Sequence, residues 1–257
     1  MSPTKKSAAT GASTTTKKTT AIASALPRLT DIAWAECFRL VPSRFPPVSL
    51  YERVASADEF DAVFAVEMLT NPRLRQEAGE ISLVAPDERV FGLGSTPVMA
   101  AFCHLNAQGS RFSDGTWGAY YAAATLATAV AEVAYHREKF FEATKQAAID
   151  VDLRVYVAAL AKPLHDVRAP RWHAVHHPDD YGASQALARR LRLANSWGIV
   201  YRSVRDAGGE CIAALRPKTI TLPVRQAQHV TLRWNGMRIE QWYAKAGLHT
   251  VNRAQQS

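Results

Sequence analysis

The stretch TLATAVAEVAYHREKFFEATKQ, residues 125–146, restricts this chain most. Leu126, Ala129, Val130 and Val133 recur at helical spacing and predict a long helix with one packed face. A face of that kind must be covered by a sheet or another helix. The preceding run WGAYYAAA, residues 117–124, reads as a strand, so strand and helix meet here with almost no linker. Further strands are predicted in EISLVAP (80–86), VDLRVYVAAL (151–160), WGIVYRSV (197–204) and ECIAAL (210–215), the last two around a turn at 206–209. HVTLRWNGMRIEQWYA (229–244) predicts a C-terminal β-hairpin with Asn235-Gly236 as its two-residue turn.

Helices are predicted at three other places. Ser56-x-x-Glu59 is a capping box that opens an amphipathic helix carrying Phe60, Val63, Phe64 and Met68 and ended by Asn71-Pro72. FGLGSTPVMAAFCHL (91–105) reads as a glycine turn, Ser95 or Thr96 as N-cap, Pro97 in the first turn, and a short apolar helix. SQALARRLRLAN (184–195) is a helix ending at Asn195. Pro42, Pro46 and Pro47 forbid a long helix in residues 36–54 and force an extended, turning path. Strands and helices mix without regular βαβ alternation, which predicts an α+β fold.

Residues 1–24 are rich in Thr, Ser, Ala and Lys and lack aromatics, which predicts a disordered basic tail ahead of one domain over residues 25–257. The tail has no apolar core of a secretory signal and no arginine-rich amphipathic pattern, and no run is long enough for a membrane helix, so the expectation is a cytoplasmic protein with no membrane partner. Of the net charge of +8, Lys5, Lys6, Lys17 and Lys18 supply four. The remainder is modestly basic and would serve nucleic acid only if focused on one face. Cys37, Cys103 and Cys211, odd in number and widely spaced, exclude a disulfide framework or a paired-cysteine metal knuckle and read as isolated thiols.

The densest polar cluster is GSRFSDGTWGAYYAAATLATAVAEVAYHRE, residues 109–138. Arg111 lies in a glycine-flanked loop, Tyr120 and Tyr121 follow on a strand, and Glu132 sits near the edge of the helix's packed face. By residue type alone, a solvated glutamate and two core tyrosines explain the cluster better than a site does. His136, one turn after Glu132, fits the same cleft or a plain helix surface equally well. GLGST (92–96) precedes a helix and could offer backbone N–H groups to a phosphate, but it lacks a full nucleotide-loop spacing and reads first as a turn. His173, His176, His177, Asp179 and Asp180 resemble a metal cluster, yet without ligand spacing they read as a solvated loop, and no metal is expected.

These blocks together resemble the RES domain. Its aromatic-Arg pair, Gly-x-Arg-aromatic loop, Tyr-ended strand and Thr-Ala-x-x-Glu helix are filled by Phe38-Arg39, Gly109-Ser110-Arg111-Phe112, Tyr120-Tyr121 and Thr128-Ala129-Val130-Ala131-Glu132. YGASQALARRLRLANSWGIVYRSVRDAGGECIAALRP (181–217) resembles the family's later segment, so the likeness spans about residues 34–217. Two departures stand out. The common Arg-Trp-Asn-Pro loop is here Arg111-Phe112-Ser113-Asp114, and the family serine could be Ser184 or Ser203. A long insertion separates Arg39 from Arg111.

The resemblance implies a mixed-sheet α+β fold similar to the ADP-ribosyltransferases and an enzyme that degrades NAD as the toxin of a toxin–antitoxin pair. It implies Glu132, Arg39, Arg111 and Tyr121 as catalytic residues, with Tyr120, His136, Ser184 and Ser203 at the substrate. Glu132 would steady the ribose, the two arginines would hold diphosphate, and Tyr121 would stack on nicotinamide. NAD is the implied substrate, with inorganic phosphate as co-substrate if cleavage is phosphorolysis. The implied partner is a cognate antitoxin, and a homo-oligomer is compatible. The alternatives are a protein ADP-ribosyltransferase and a non-catalytic module that binds a partner or nucleic acid.

Overall fold

The computed structural model describes residues 25–43, 50–52, 56, 59 and 79–245. The basic tail expected over 1–24 lies outside them. So does most of the helix expected after Ser56, of which the capping contact is seen: the Glu59 N–H donates to Ser56 Oγ at 3.2 Å.

The helix expected at 125–146 forms as α2, Leu126–Thr144. It is capped by Thr125, whose side chain accepts the Thr128 N–H, and it stops at Lys145 in the left-handed conformation. Two shorter helices accompany it, α1 (Thr96–Cys103) and α3 (Gly182–Leu193). In α3, Leu187, Ala188 and Leu191 turn inward, and Asn195 takes φ 53° just past its end.

Among the described residues nine strands form one sheet. They are β1 (Leu29–Thr30), β2 (Cys37–Pro42), β3 (Tyr120–Ala123), β4 (Ile149–Leu160), β5 (Leu164–Asp166), β6 (Gly198–Arg202), β7 (Glu210–Ala214), β8 (Ile220–Trp234) and β9 (Ile239–Ala244). Their order is β1-β5-β6-β7-β3-β2-β4-β8-β9. The β5–β6 pair is parallel and the other pairs are antiparallel, giving the mixed-sheet α+β architecture expected from the sequence.

Alternation along the strands gives the sheet two apolar faces. On one, Cys37, Tyr120, Ala122, Ala158 and Ile212 pack beneath Val98, Met99 and Phe102 of α1. On the other, Leu40, Ala123, Leu153, Val155, Val157 and Ala213 pack against Ala129 and Val130 of α2 and Leu187 and Leu191 of α3. The middle of the sheet is forked. β2 and β3 share one paired position, Phe38 with Ala123. Beyond it β2 runs on through Pro42 paired only with β4, while Tyr120–Ala122 pair only with β7.

Two expectations are corrected. EISLVAP is not a strand but two short 3-10 turns, Ile81–Leu83 and Pro86–Glu88. Its backbone bonds locally, Leu83 N–H to Glu80 O and Val84 N–H to Ile81 O, and Pro86 starts the second turn where its missing N–H costs nothing. The C-terminal hairpin forms, but its turn is shifted by one. Asn235 N–H donates to Arg238 O, so Gly236 and Met237 are the central residues, with φ +98° at Gly236. The Asn235 side chain accepts the Met237 and Arg238 N–H groups instead of entering the turn.

Gly118 sets how closely the lead into β3 approaches α1. A Cβ there would stand 2.4 Å from Phe102 Cα and 2.5 Å from the Ala101 carbonyl oxygen, both backbone atoms. Gly118→Ala should therefore lower unfolding stability by about 1–3 kcal/mol, read as a lower denaturant midpoint, and an unchanged midpoint would contradict this packing.

Candidate active site

Arg111 sits in a loop built to hold it. Ser110 and Ser113 bond each other's backbone, and the Gln185 side-chain amide donates to both their carbonyls at 3.0 and 3.1 Å. Tyr121 braces the loop from β3. Its hydroxyl accepts the Phe112 N–H at 2.9 Å and shares a 2.8 Å hydrogen bond with Ser110 Oγ. In the departing Phe-Ser-Asp sequence, Phe112 is buried edge-on against Tyr201 with ring centres 4.9 Å apart, Ser113 Oγ donates to the Trp117 carbonyl, and Asp114 pairs with Arg189.

The Arg111 side chain is 6% exposed. Nη1 donates to the carbonyls of Val175 (3.1 Å) and His177 (2.8 Å), and the guanidinium lies 4.8 Å from the ring centre of Tyr181. Among the described residues no carboxylate pairs with it. A buried cation held only by carbonyl dipoles and a π face is a fixed positive centre with unspent charge.

Glu132 projects from α2 toward the β6–β7 turn. Ser203 Oγ donates to Glu132 Oε1 at 2.6 Å and accepts the N–H groups of Arg205 (3.1 Å) and Asp206 (3.0 Å). The turn is tied to the start of α2 by Thr128 Oγ1, which donates to the Asp206 carboxylate at 2.6 Å. Glu132, Arg111 and Tyr121 converge around Tyr201. Burial first, then Cys211, Glu132 and Tyr121, push its phenol well above the ordinary value, and Arg111 pulls the other way. Burial also lifts the Tyr121 phenol, to about 12, against the hydrogen bonds from Ser110 and Phe112 and the nearby Arg111.

The other expected residues divide. His136 reaches solvent one turn beyond Glu132. Desolvation of its covered flank holds it below the ordinary imidazole value; Glu132 opposes this, and Arg205, Arg111 and Arg137 add to it. Ser203 touches Glu132, whereas Ser184 is fully buried and donates to the Tyr181 carbonyl within its own helical turn. Arg39 and Tyr120 point to the opposite face of the sheet, in the α1 layer. There the Arg39 guanidinium stands 4.6 Å from the Tyr120 ring centre, and Nη1 crosses the fork to donate to the Tyr121 carbonyl at 3.2 Å. The structure thus gathers Glu132, Ser203, His136, Arg111 and Tyr121, and leaves Arg39, Tyr120 and Ser184 outside that group.

Residues that the sequence reading passed over support the group. Arg205 lies 3.3 Å from the ring centre of Tyr135, donates to the Pro178 carbonyl and stands 3.8 Å from Asp179. The histidine loop is braced locally, with His177 Nδ1 accepting the Asp179 and Asp180 N–H groups and His176 Nε2 accepting the Arg202 N–H. Among the described residues no three or more His, Cys, Asp or Glu side chains converge as a metal would require. No helix there is long and apolar enough to cross a membrane. All three cysteines are buried free thiols.

A model of the RES domain matches residues 88–235, from the second 3-10 turn to the end of β8. The uncharacterized protein y4oC of Sinorhizobium fredii (strain NBRC 101917 / NGR234) is 34% identical over 214 residues, covering 81% of this chain and 87% of that protein. The chain belongs to the RES domain family. The matched span holds Arg111, Tyr121, Glu132, Ser184 and Ser203; Arg39 precedes it. Among solved structures, a chain from the crystal structure of the M. tuberculosis MbcT-MbcA toxin–antitoxin complex is similar at 10% identity with a TM-score of 0.36, covering 82% of this chain and 87% of that one.

The histidines give a pH dependence. Burial holds His136, His165 and His176 below their ordinary value of 6.5. The unfolded chain then takes up protons first as pH falls, so their contribution is complete above 6.5 and is lost as pH drops toward the folded values. The urea midpoint should fall between about pH 7.5 and about pH 5.5, and a midpoint that holds or rises would contradict these environments.

Proposed function

We propose that this RES protein cleaves NAD at the bond between nicotinamide and ribose, with Glu132 and Ser203 at the reacting ribose and Arg111 as the fixed cation beside it. The observation that carries the reading is the 2.6 Å hydrogen bond between Ser203 and Glu132, which joins two residues 71 positions apart. Ser203 takes two backbone N–H bonds and spends its own proton on Glu132, so the carboxylate is oriented before substrate arrives. Among the described residues its second oxygen has no protein partner and is left for a ribose hydroxyl.

When the C1′–N bond breaks, its electron pair moves to the pyridine nitrogen and nicotinamide leaves neutral. Positive charge then develops on the ribose, and an aligned carboxylate stabilises it electrostatically. Arg111 suits a phosphate oxygen, either of the substrate or of an attacking phosphate. The attacking oxygen forms the new C1′ bond and releases its proton. His136, one turn from Glu132 and held neutral at pH 7, is placed to receive it. Tyr121 serves first through its hydroxyl, which fixes the loop on both sides of Arg111. Family membership supports the wider reading, a growth-inhibiting toxin restrained by a cognate antitoxin.

Purified protein with NAD should release nicotinamide. Formation of an ADP-ribose phosphate only when phosphate is present selects phosphorolysis, free ADP-ribose selects hydrolysis, and a labelled protein acceptor selects ADP-ribosyl transfer. Glu132→Gln should lose on the order of 100-fold or more in rate. Ser203→Ala should lose less, since it removes the orienting bond and leaves the charge. Full turnover by Glu132→Gln would overturn the assignment.

A further inference from the structure

Turns at Asn235, Ser203 and His177 close in the same way, with one side-chain atom accepting the N–H groups two and three residues ahead. The Asn235 side-chain oxygen accepts from Met237 and Arg238, and Ser203 Oγ from Arg205 and Asp206. In the third turn the acceptor is a histidine: His177 Nδ1 takes the Asp179 N–H at 3.2 Å and the Asp180 N–H at 2.8 Å. Asparagine and serine keep their acceptor whatever the pH, whereas an imidazole nitrogen loses it on taking up a proton. The neighbouring ring is fixed to one tautomer as well. His176 Nδ1 lies 3.1 Å from the Trp172 carbonyl oxygen, which can only accept, so that nitrogen carries the hydrogen. Its Nε2 accepts the Arg202 N–H at 3.2 Å and ties the segment to the end of β6, one residue before Ser203. The two contacts together require a neutral ring.

The segment fastened in this way is the one that holds Arg111. The carbonyls of Val175 and His177 and the ring of Tyr181, all within residues 170–181, receive its guanidinium. Beyond His177 the segment is latched to α2 and to the β6–β7 turn, where the Tyr135 hydroxyl donates to Asp179 and Arg205 donates to the Pro178 carbonyl. Charged groups surround both rings. His176 stands near Arg202 of β6 and Arg111 of the loop before β3; burial first, then these two cations, hold it below 6.5, and the Trp172 bond acts against them. His177 shares its turn with Asp179 and Asp180, and Arg205 of the β6–β7 turn and Lys139 of α2 act on the same Asp179 carboxylate.

We propose that His176 and His177 are positioning residues for Arg111, and that the segment from Pro170 to Tyr181 is a strap fastened beside the site only while both rings are neutral. A proton on either ring puts a second N–H, and a positive charge, where a backbone N–H must sit. The turn at His177 and the tie to β6 then open, the two carbonyls leave the guanidinium, and the new charge lies beside Arg111. The site is thereby switched off in acid by its own frame. The effect on turnover rests on the NAD reading; the opening of the strap does not.

The test is amide hydrogen exchange of the full chain at about pH 7.5 and about pH 5.5, corrected for the intrinsic pH dependence of exchange. The Asp179, Asp180 and Arg202 amides should lose about tenfold or more of their protection at the lower pH, while Val155, buried in β4, keeps its own. His177→Asn supplies a non-titrating acceptor, as Asn235 does, and should keep Asp179 and Asp180 protected at both pH values while Arg202 still opens. His176→Gln, whose amide reaches the Nε2 position, should do the converse. In turnover, the fall in nicotinamide release from the higher to the lower pH should be about tenfold or more greater for wild type than for the double variant, with His136 present in both. Wild-type protection that does not change, or that is lost equally in the double variant, would overturn the strap. A strap that opens while wild type and double variant lose turnover equally would overturn the positioning role. Opening as described in a protein that releases no nicotinamide at either pH would defeat the catalytic reading and leave the strap standing.

Discussion

β2 and β3 share a single backbone pair, Phe38 with Ala123. Sheet strands stay about 4.8 Å apart only while they share hydrogen bonds. With β2 committed to β4 and β3 to β7, the two halves must separate beyond that pair. The separation leaves β3 backbone polar groups without a strand partner, a cost that must be met by something else. Arg39 meets part of it by donating across the gap to the Tyr121 carbonyl. Both polar regions follow from this one divergence. A cavity of about 940 Å³, lined by Arg39, Arg154 and Tyr121 among others, occupies the gap, and the Arg111 loop is the chain returning along its edge into β3.

Charge is distributed accordingly. Arg168 is clasped by Asp166 and Glu210, which raise its pKa and tie β5 to β7. Arg216 is clasped by Glu88 and joins the second 3-10 turn to the end of β7. These pairs hold structure together with their charges satisfied. Arg39, Arg111 and Arg154 are at least as deep, yet their partners are carbonyls and aromatic rings. A guanidinium that only braced the fold would be cheaper as a neutral side chain of equal size. All three lie around the same strand–loop junction, and among the described residues none has a carboxylate partner.

Much of the fold was legible because it rests on local patterns. α2 follows from its apolar spacing, and β4, β6 and β7 from runs of β-branched and apolar residues. The failures were also local. In EISLVAP the hydrophobic residues imitate a strand, but a strand needs a partner, and Pro86 with two 3-10 turns satisfies the backbone first. At Asn235-Gly236 the asparagine side chain caps the turn from outside, so the glycine alone carries the positive φ. The site was legible only as a list. Arg111, Tyr121 and Glu132 came from the family pattern, but which serine meets Glu132 depends on a β6–β7 turn pinned by Thr128 and Asp206 from distant segments. Arg154 did leave a signal: a charged residue between Leu153 and Val155 in a strand whose neighbours both pair with other strands.

Tyr121 joins the two regions through separate atoms. Its backbone is held in register with Ala213 of β7, its carbonyl receives Arg39 from the fork, and its hydroxyl receives the loop that carries Arg111. A shift of that loop must therefore break the hydroxyl bonds or move β3, and moving β3 disturbs Ala123 beside Phe38, where the sheet is joined by one pair. The loop is thus tied to the narrowest point of the fold. The Arg111 side chain is thereby carried on a braced loop rather than a mobile arm, which on the proposed reading puts its charge in place before the glycosidic bond weakens.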